Sequence, residues 1–210
     1  MNVRQDEKSR THIDWELDGV TANQIDWFWM NMEKGFALWH PIEHTAFYWA
    51  VKPVDGNPLG AIHVAPQRWA DGTLIEPHIR YDDVATLAED IADLVVYDHC
   101  VVVAAIALFA RDFKPENPVV AYRIHQWEAT DAGVRGRSSA VPVQPEPLET
   151  ASERGITWAK HASEEVHYWS DFLPDLYRLF RVAKSPEMNP QFSFKVKREG
   201  KKLYYQALHS

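Results

Sequence analysis

His161 and Glu165 stand four residues apart in the segment His161-Ala-Ser-Glu164-Glu165-Val-His167. On a helix this spacing stacks two side chains on one face, one turn apart. A neutral imidazole and a carboxylate both suit a divalent ion such as zinc. Far upstream, Trp39-His40-Pro41-Ile42-Glu43-His44 repeats the spacing with two histidines. A metal held by only a few side chains keeps an open position. There it can polarise an oxygen or lower the pKa of water. The chemistry these residues suggest is metal-assisted catalysis. The plainer alternative for His161 and Glu165 is a solvated polar pair on a surface helix. His161 with Glu164, at i,i+3, is a second same-face pair.

Pro41 disfavours helical backbone at His40. His40 and His44 therefore need not share a face, and one of them alone suffices as a ligand. Their alternative role is structural, with Trp39 packed and the imidazoles capping backbone groups. A catalytic metal needs ligands from at least two elements to fix its geometry, which favours taking both segments together. A further ligand is expected from a strand. Glu76, His78 and Arg80 alternate along residues 73–81 and share one face. Glu76 could complete a mixed His/Glu site and Arg80 could hold a substrate anion, unless that face simply meets solvent. His63 and Gln67 share a face of the preceding strand and are lesser candidates. The chain has no G-x-S-x-G, Gly-rich phosphate loop, C-x-x-C or H-E-x-x-H motif. Cys100 is the only cysteine, so no intrachain disulfide can form. It heads an apolar run and reads as a buried, inert thiol.

The elements that must position these groups follow from periodicity. Thr21 is a candidate N-cap for a helix in which Ile25, Phe28, Trp29 and Met32 recur at helical spacing. Gly35 is expected to end it, and a short helical turn at residues 36–39 to stop before Pro41. Strands are expected at residues 45–51, 59–67, 73–81, 100–109, 119–127 and 138–144. Turns are expected at residues 55–58 and 70–72, and a short helix within 83–94. Residues 145–147, Pro-Glu-Pro, mark a boundary. Residues 148–173 are good helix formers apart from Gly155, and Pro174 should kink the helix or start another. Residues 192–206 read as a terminal hairpin. The order predicts an α+β fold, a curved antiparallel sheet gripping the late helix with a cavity between them.

Composition fits one domain over residues 1–210, with a loose tail at 1–12. Of the 210 residues 46% are hydrophobic, enough for one substantial core. Nine Trp, eight Tyr and nine Phe could also line a pocket for a flat ligand. A net charge of −8 argues against a nucleic-acid partner. The polar N-terminus lacks an apolar leader, and the longest apolar run, residues 100–110, is too short to cross a bilayer. A cytoplasmic protein with no membrane partner is expected, and a homodimer is left open.

Trp39-His40-Pro41-x-x-His44 after an aromatic-rich helix, then His161-x-x-Glu164-Glu165 and Phe172-Leu173-Pro174-x-x-Tyr177, resembles the 2,4-diacetylphloroglucinol hydrolase family, which includes phloretin hydrolase. The resemblance spans roughly residues 27–177. It implies a helix-grip, START-like fold and a zinc ion bound by two His and two Glu. It also implies hydrolysis of a carbon–carbon bond between an acyl group and a phenolic ring. His44, His161 and Glu165 match the family's ligands. Glu76 is the nearest carboxylate for the second glutamate, with Gln67 the alternative counterpart. In that setting Glu164, His167 and His40, with Tyr48, are candidate proton shuttles. Trp39, Tyr48, Trp49, Arg80 and Trp158 are candidates for binding a small phenolic substrate.

Overall fold

A computed structural model describes residues 1–69, 72–143 and 148–207, and of residues 148–151 the backbone alone. The turn expected at Ala70 and Asp71 and the boundary at residues 145–147 lie outside the described residues.

The N-terminus is not a loose tail. It forms β1 (Asn2–Gln5) and β2 (Thr11–Asp18), paired antiparallel. In β2, Thr11, Ile13, Trp15 and Leu17 are buried, while Glu16 and Asp18 are exposed. This is the period-two pattern of a strand with one face on a core. Thr21 then caps α1 (Ala22–Met30) through a capping box with Gln24. The helix ends at Asn31 rather than Gly35, and the chain continues as α2 (Met32–Trp39). Gly35 lies inside α2, where a Cβ would come within 2.9 Å of Leu176 and 3.0 Å of Phe28. The missing side chain lets α2 approach the late helix.

The middle of the chain gives β3 (Tyr48–Val51), β4 (Ile62–Val64), β5 (Gln67–Arg68), β6 (Leu74–Ile75) and β7 (His78–Asp82). The strands expected at 59–67 and 73–81 are each split beside a proline, at Pro66 and Pro77, which cannot donate to a ladder. A 3-10 turn (Val84–Thr86) and α3 (Glu89–Ala92) replace the expected short helix. Long strands follow: β8 (His99–Ala107), β9 (Ala121–Ala129) and β10 (Gly133–Pro142). The late helix α4 (Leu148–Phe180) runs on through Pro174. The carbonyl that Pro174 leaves without a partner belongs to Ser170, which is exposed to water. The terminal hairpin forms as expected from β11 (Val196–Glu199) and β12 (Lys202–Tyr205), turning at Gly200.

Eight strands make one antiparallel sheet in the order β1-β2-β10-β9-β8-β7-β4-β3. One face grips α4, which packs on β2 and β10 and against α1 and α2. Trp169 of α4 stacks on Trp39 and meets Trp15 of β2 edge-on. The opposite face is partly covered by the terminal hairpin, where Leu203 packs with Val102 and Ile124. The fold is α+β and helix-grip. Among the described residues no helix is long and apolar enough to cross a membrane.

Candidate functional site

His44 follows α2 on a loop and is held from behind. Its ring stacks on Phe36, with centroids 3.8 Å apart, and its Nδ1 lies 2.8 Å from the Phe36 carbonyl. That carbonyl can only accept, so Nδ1 carries a proton, and Nε2 is the atom turned toward Glu165 and His161. His161, on the sheet-facing side of α4, is fixed the same way. Its Nδ1 donates to Glu43 Oε2 at 2.7 Å. The two free Nε2 atoms lie 3.4 Å apart, and each is 3.1 Å from Glu165 Oε1. Tetrahedral zinc with bonds of about 2.05 Å would separate its ligand atoms by about 3.3 Å. The three contacts fit one face of such a site. Two ring nitrogens and a carboxylate oxygen converging at this range suit a metal ion or a proton held among them.

Without a metal, a proton serves that purpose. Burial disfavours a charged His161, but Glu165 and Glu43 outweigh it and raise its pKa to about 9. Burial also works against the Glu165 carboxylate, and His161 and His44 nonetheless hold its pKa well below the usual carboxylate range. Metal and proton compete for the same lone pair.

His40, Glu43 and His161 also bring donor atoms close together. Geometry decides between the two groups. The His161–Glu43 separation of 2.7 Å is a hydrogen bond, too short for two ligands of one ion, and His40 Nε2 stands 3.9 Å from Glu43. His40 forms a layer behind the donors. It stacks on His161 at 4.6 Å, accepts from the Glu43 backbone N–H, and has Nε2 3.2 Å from Glu164 Oε2 without a hydrogen bond. Burial, then His161, lowers the His40 pKa. Sequence reasoning missed Glu43, although a carboxylate on the far nitrogen of a ligating histidine is the usual way to orient one.

The other expected residues divide by position. Glu76 stands outside the donor group, in the link before β7, with its backbone N–H on the Leu108 carbonyl. Gln67 is next to the donors: it bridges His44 through the backbone and lines the cavity. Its side-chain oxygen accepts from Trp69 Nε1 at 2.9 Å. Arg80 lies on the sheet face turned away from α4, outside the cavity lining, and is committed to Asp82. Tyr48, opposite Val64, is on that same outer face and exposed. His167 is exposed on α4, away from the donors. Trp49 faces inward but packs on Phe47, His63 and Tyr81 behind the cavity wall.

Between α4 and the sheet lies a cavity of about 310 Å³, into which His161 and Glu165 open. That size suits a small ring system. Trp39 and Trp158 line it. So do His63, a lesser candidate from the sequence, and Arg123 and His125, which the sequence did not single out. Burial, with His44 adding to it, lowers the His63 pKa to about 3. Burial lowers that of His125 to about 4, and its Nδ1 is 3.0 Å from Ser138 Oγ. Both rings are neutral near pH 7. Their signal was period two along β4 and β9, readable only once the covered face is known.

No protein-family model matches the sequence, and no curated protein matches it either. Solved structures of similar shape exist. Ms6760 from Mycobacterium smegmatis superposes with a TM-score of 0.55 at 17% identity, over 82% of this chain and 96% of that one. A protein from Arthrobacter aurescens gives 0.56 at 12% identity, over 83% and 91%. The di-domain ARO/CYC BexL from the BE-7585A biosynthetic pathway gives 0.51 at 11% identity, over 78% of this chain and 49% of that one. At these identities the likeness is one of fold.

Proposed function

We propose that this chain is a metal-dependent enzyme acting on a flat, polyketide-like aryl carbonyl compound. The observation that carries the reading is the convergence of His44 Nε2, His161 Nε2 and Glu165 Oε1 at the wall of an aromatic cavity. Zinc bound there would supply Lewis-acid polarisation of a carbonyl oxygen and a lowered pKa for water. The chain's own residues do the rest. The Phe36 carbonyl and Glu43 set the histidine tautomers. Trp39 and Trp158 offer faces for the ring. The apolar lining excludes bulk water and strengthens each polar contact inside.

Two reactions fit this site. The first is hydrolysis of an aryl–acyl carbon–carbon bond, supported by the resemblance to the 2,4-diacetylphloroglucinol hydrolase family at His44, His161 and Glu165. Water adds to the acyl carbon, the ring carbon takes a proton, and a carboxylic acid leaves. The second is ring closure of a polyketide-like chain, supported by the shared fold with the ARO/CYC BexL. Elemental analysis followed by incubation with acylphloroglucinols tests both. One metal per chain and release of the carboxylic acid are expected. Metal without acid release, but with cyclised product from a linear polyketide mimic, transfers the assignment to ring closure. Ligand binding with no metal and no turnover refutes an enzyme and leaves a carrier.

A further inference from the structure

We propose that the cavity holds a subsite for an oxyanion, a carboxylate or an ionised phenol or enol on the ligand's ring, with the Arg123 guanidinium as its counter-ion. This inference rests on the cavity being the ligand site of the proposed function, and not on the metal. Arg123 sits on the covered face of β9, in the row Val103, Arg123, Ala140 that runs across three strands into the cavity wall. His125, two residues on, shares that face. The guanidinium lies over the Trp158 ring, 5.0 Å from its centroid, and donates Nη1 to the Tyr122 carbonyl at 3.0 Å. Among the described residues no carboxylate forms an ion pair with it.

A cation enclosed by protein and left without a counter-ion is costly. Burial shows this in lowering the Arg123 pKa to about 10, with the charge of Glu165 opposing it. Glu165, however, is committed to His44 and His161 at 3.1 Å. A cation at those donors would offset its charge and leave Arg123 more exposed still. The arginine keeps accessible surface although protein surrounds it, as a side chain facing an interior cavity does. Its fork of donors matches a carboxylate and also takes a phenolate, and Trp158 beneath it offers a face to the ring that bears the charge.

The test is isothermal titration calorimetry on the full chain, as purified and after chelation. The probes are 4-acetylbenzoate, its neutral carboxamide, and 4-nitrophenol on either side of its own ionisation. At least one anion should bind about 10- to 100-fold more tightly than its neutral counterpart, the range of one charge-assisted hydrogen-bonding contact. The carboxylate and phenolate arms tell the two sources apart. R123Q should abolish the preference and R123K retain part of it. Equal binding of anionic and neutral probes by the wild-type chain overturns the subsite, even where R123Q fails to fold. A preference that survives in folded R123Q also overturns it. Since the chelated chain is measured too, a preference that persists without metal supports the subsite even if the metal reading fails.

Discussion

The assignment of the metal to His44, His161 and Glu165 can be tested against the neighbouring group by comparing E43Q with E165Q. Glu43 accepts from His161 Nδ1 at 2.7 Å, and its side chain is only 13% exposed. Glutamine keeps an acceptor of the same size but removes the charge. A hydrogen bond to a charged group contributes about 1.5–3 kcal/mol. That agrees with the 10- to 100-fold loss of metal affinity typical when the support of a ligating histidine is removed. E43Q should therefore still take up zinc, about 10- to 100-fold more weakly. E165Q loses a ligand rather than its support, and its affinity should fall below that range. Competition against a chromophoric chelator measures both, with circular dichroism to show that each variant is folded. If E43Q loses zinc as completely as E165Q, or more so, the ion sits between His40, Glu43 and His161 and the argument from ligand-atom spacing is wrong. Unchanged affinity in both would remove the site altogether.

In chelated protein, stability should fall as pH rises. The pKa of His161 is raised from 6.5 to about 9, so its contribution is complete below about 6.5 and lost through about 9. The loss is on the order of 3 kcal/mol at most. In zinc-loaded protein this fall should disappear over the same window, because the ion already displaces the proton from His161 and the unfolded imidazole is neutral above about 6.5. Thermal melts from pH 6 to 10 check both trends, and parallel curves would refute the shared lone pair. Gly155→Ala should destabilise by about 1–3 kcal/mol, although alanine is the better helix former. A Cβ there would stand 2.0 Å from Thr11 Oγ1, where α4 crosses β2, and a stabilised variant in urea titration would contradict that packing. Cys100 is fully buried and burial pushes its thiol pKa up, so a thiol reagent should label it only on unfolding.

Much of the framework was legible because it is local. The His161/Glu165 pair follows from the helical period, and residues 148–173 have a composition that hardly permits anything but a helix. Thr21 announces an N-cap, and the Gly200 turn announces the terminal hairpin. The alternation in β2 is just as legible, although residues 1–12 read as a tail and residues 13–18 as no element. Other features depended on which surfaces meet. Period two places His78 and Arg80 on one face and Ile79 and Tyr81 on the other, but α4 decides which face is inside. The same residue types that suggested a site at Glu76 and Arg80 therefore stand outside it, while Arg123 and His125 of β9 stand within. Helical spacing could not bring His44 to His161, 117 residues away in the chain. The packing of α2 on α4 does that, through Gly35, and sets the distance between two lone pairs at a value suited to a cation.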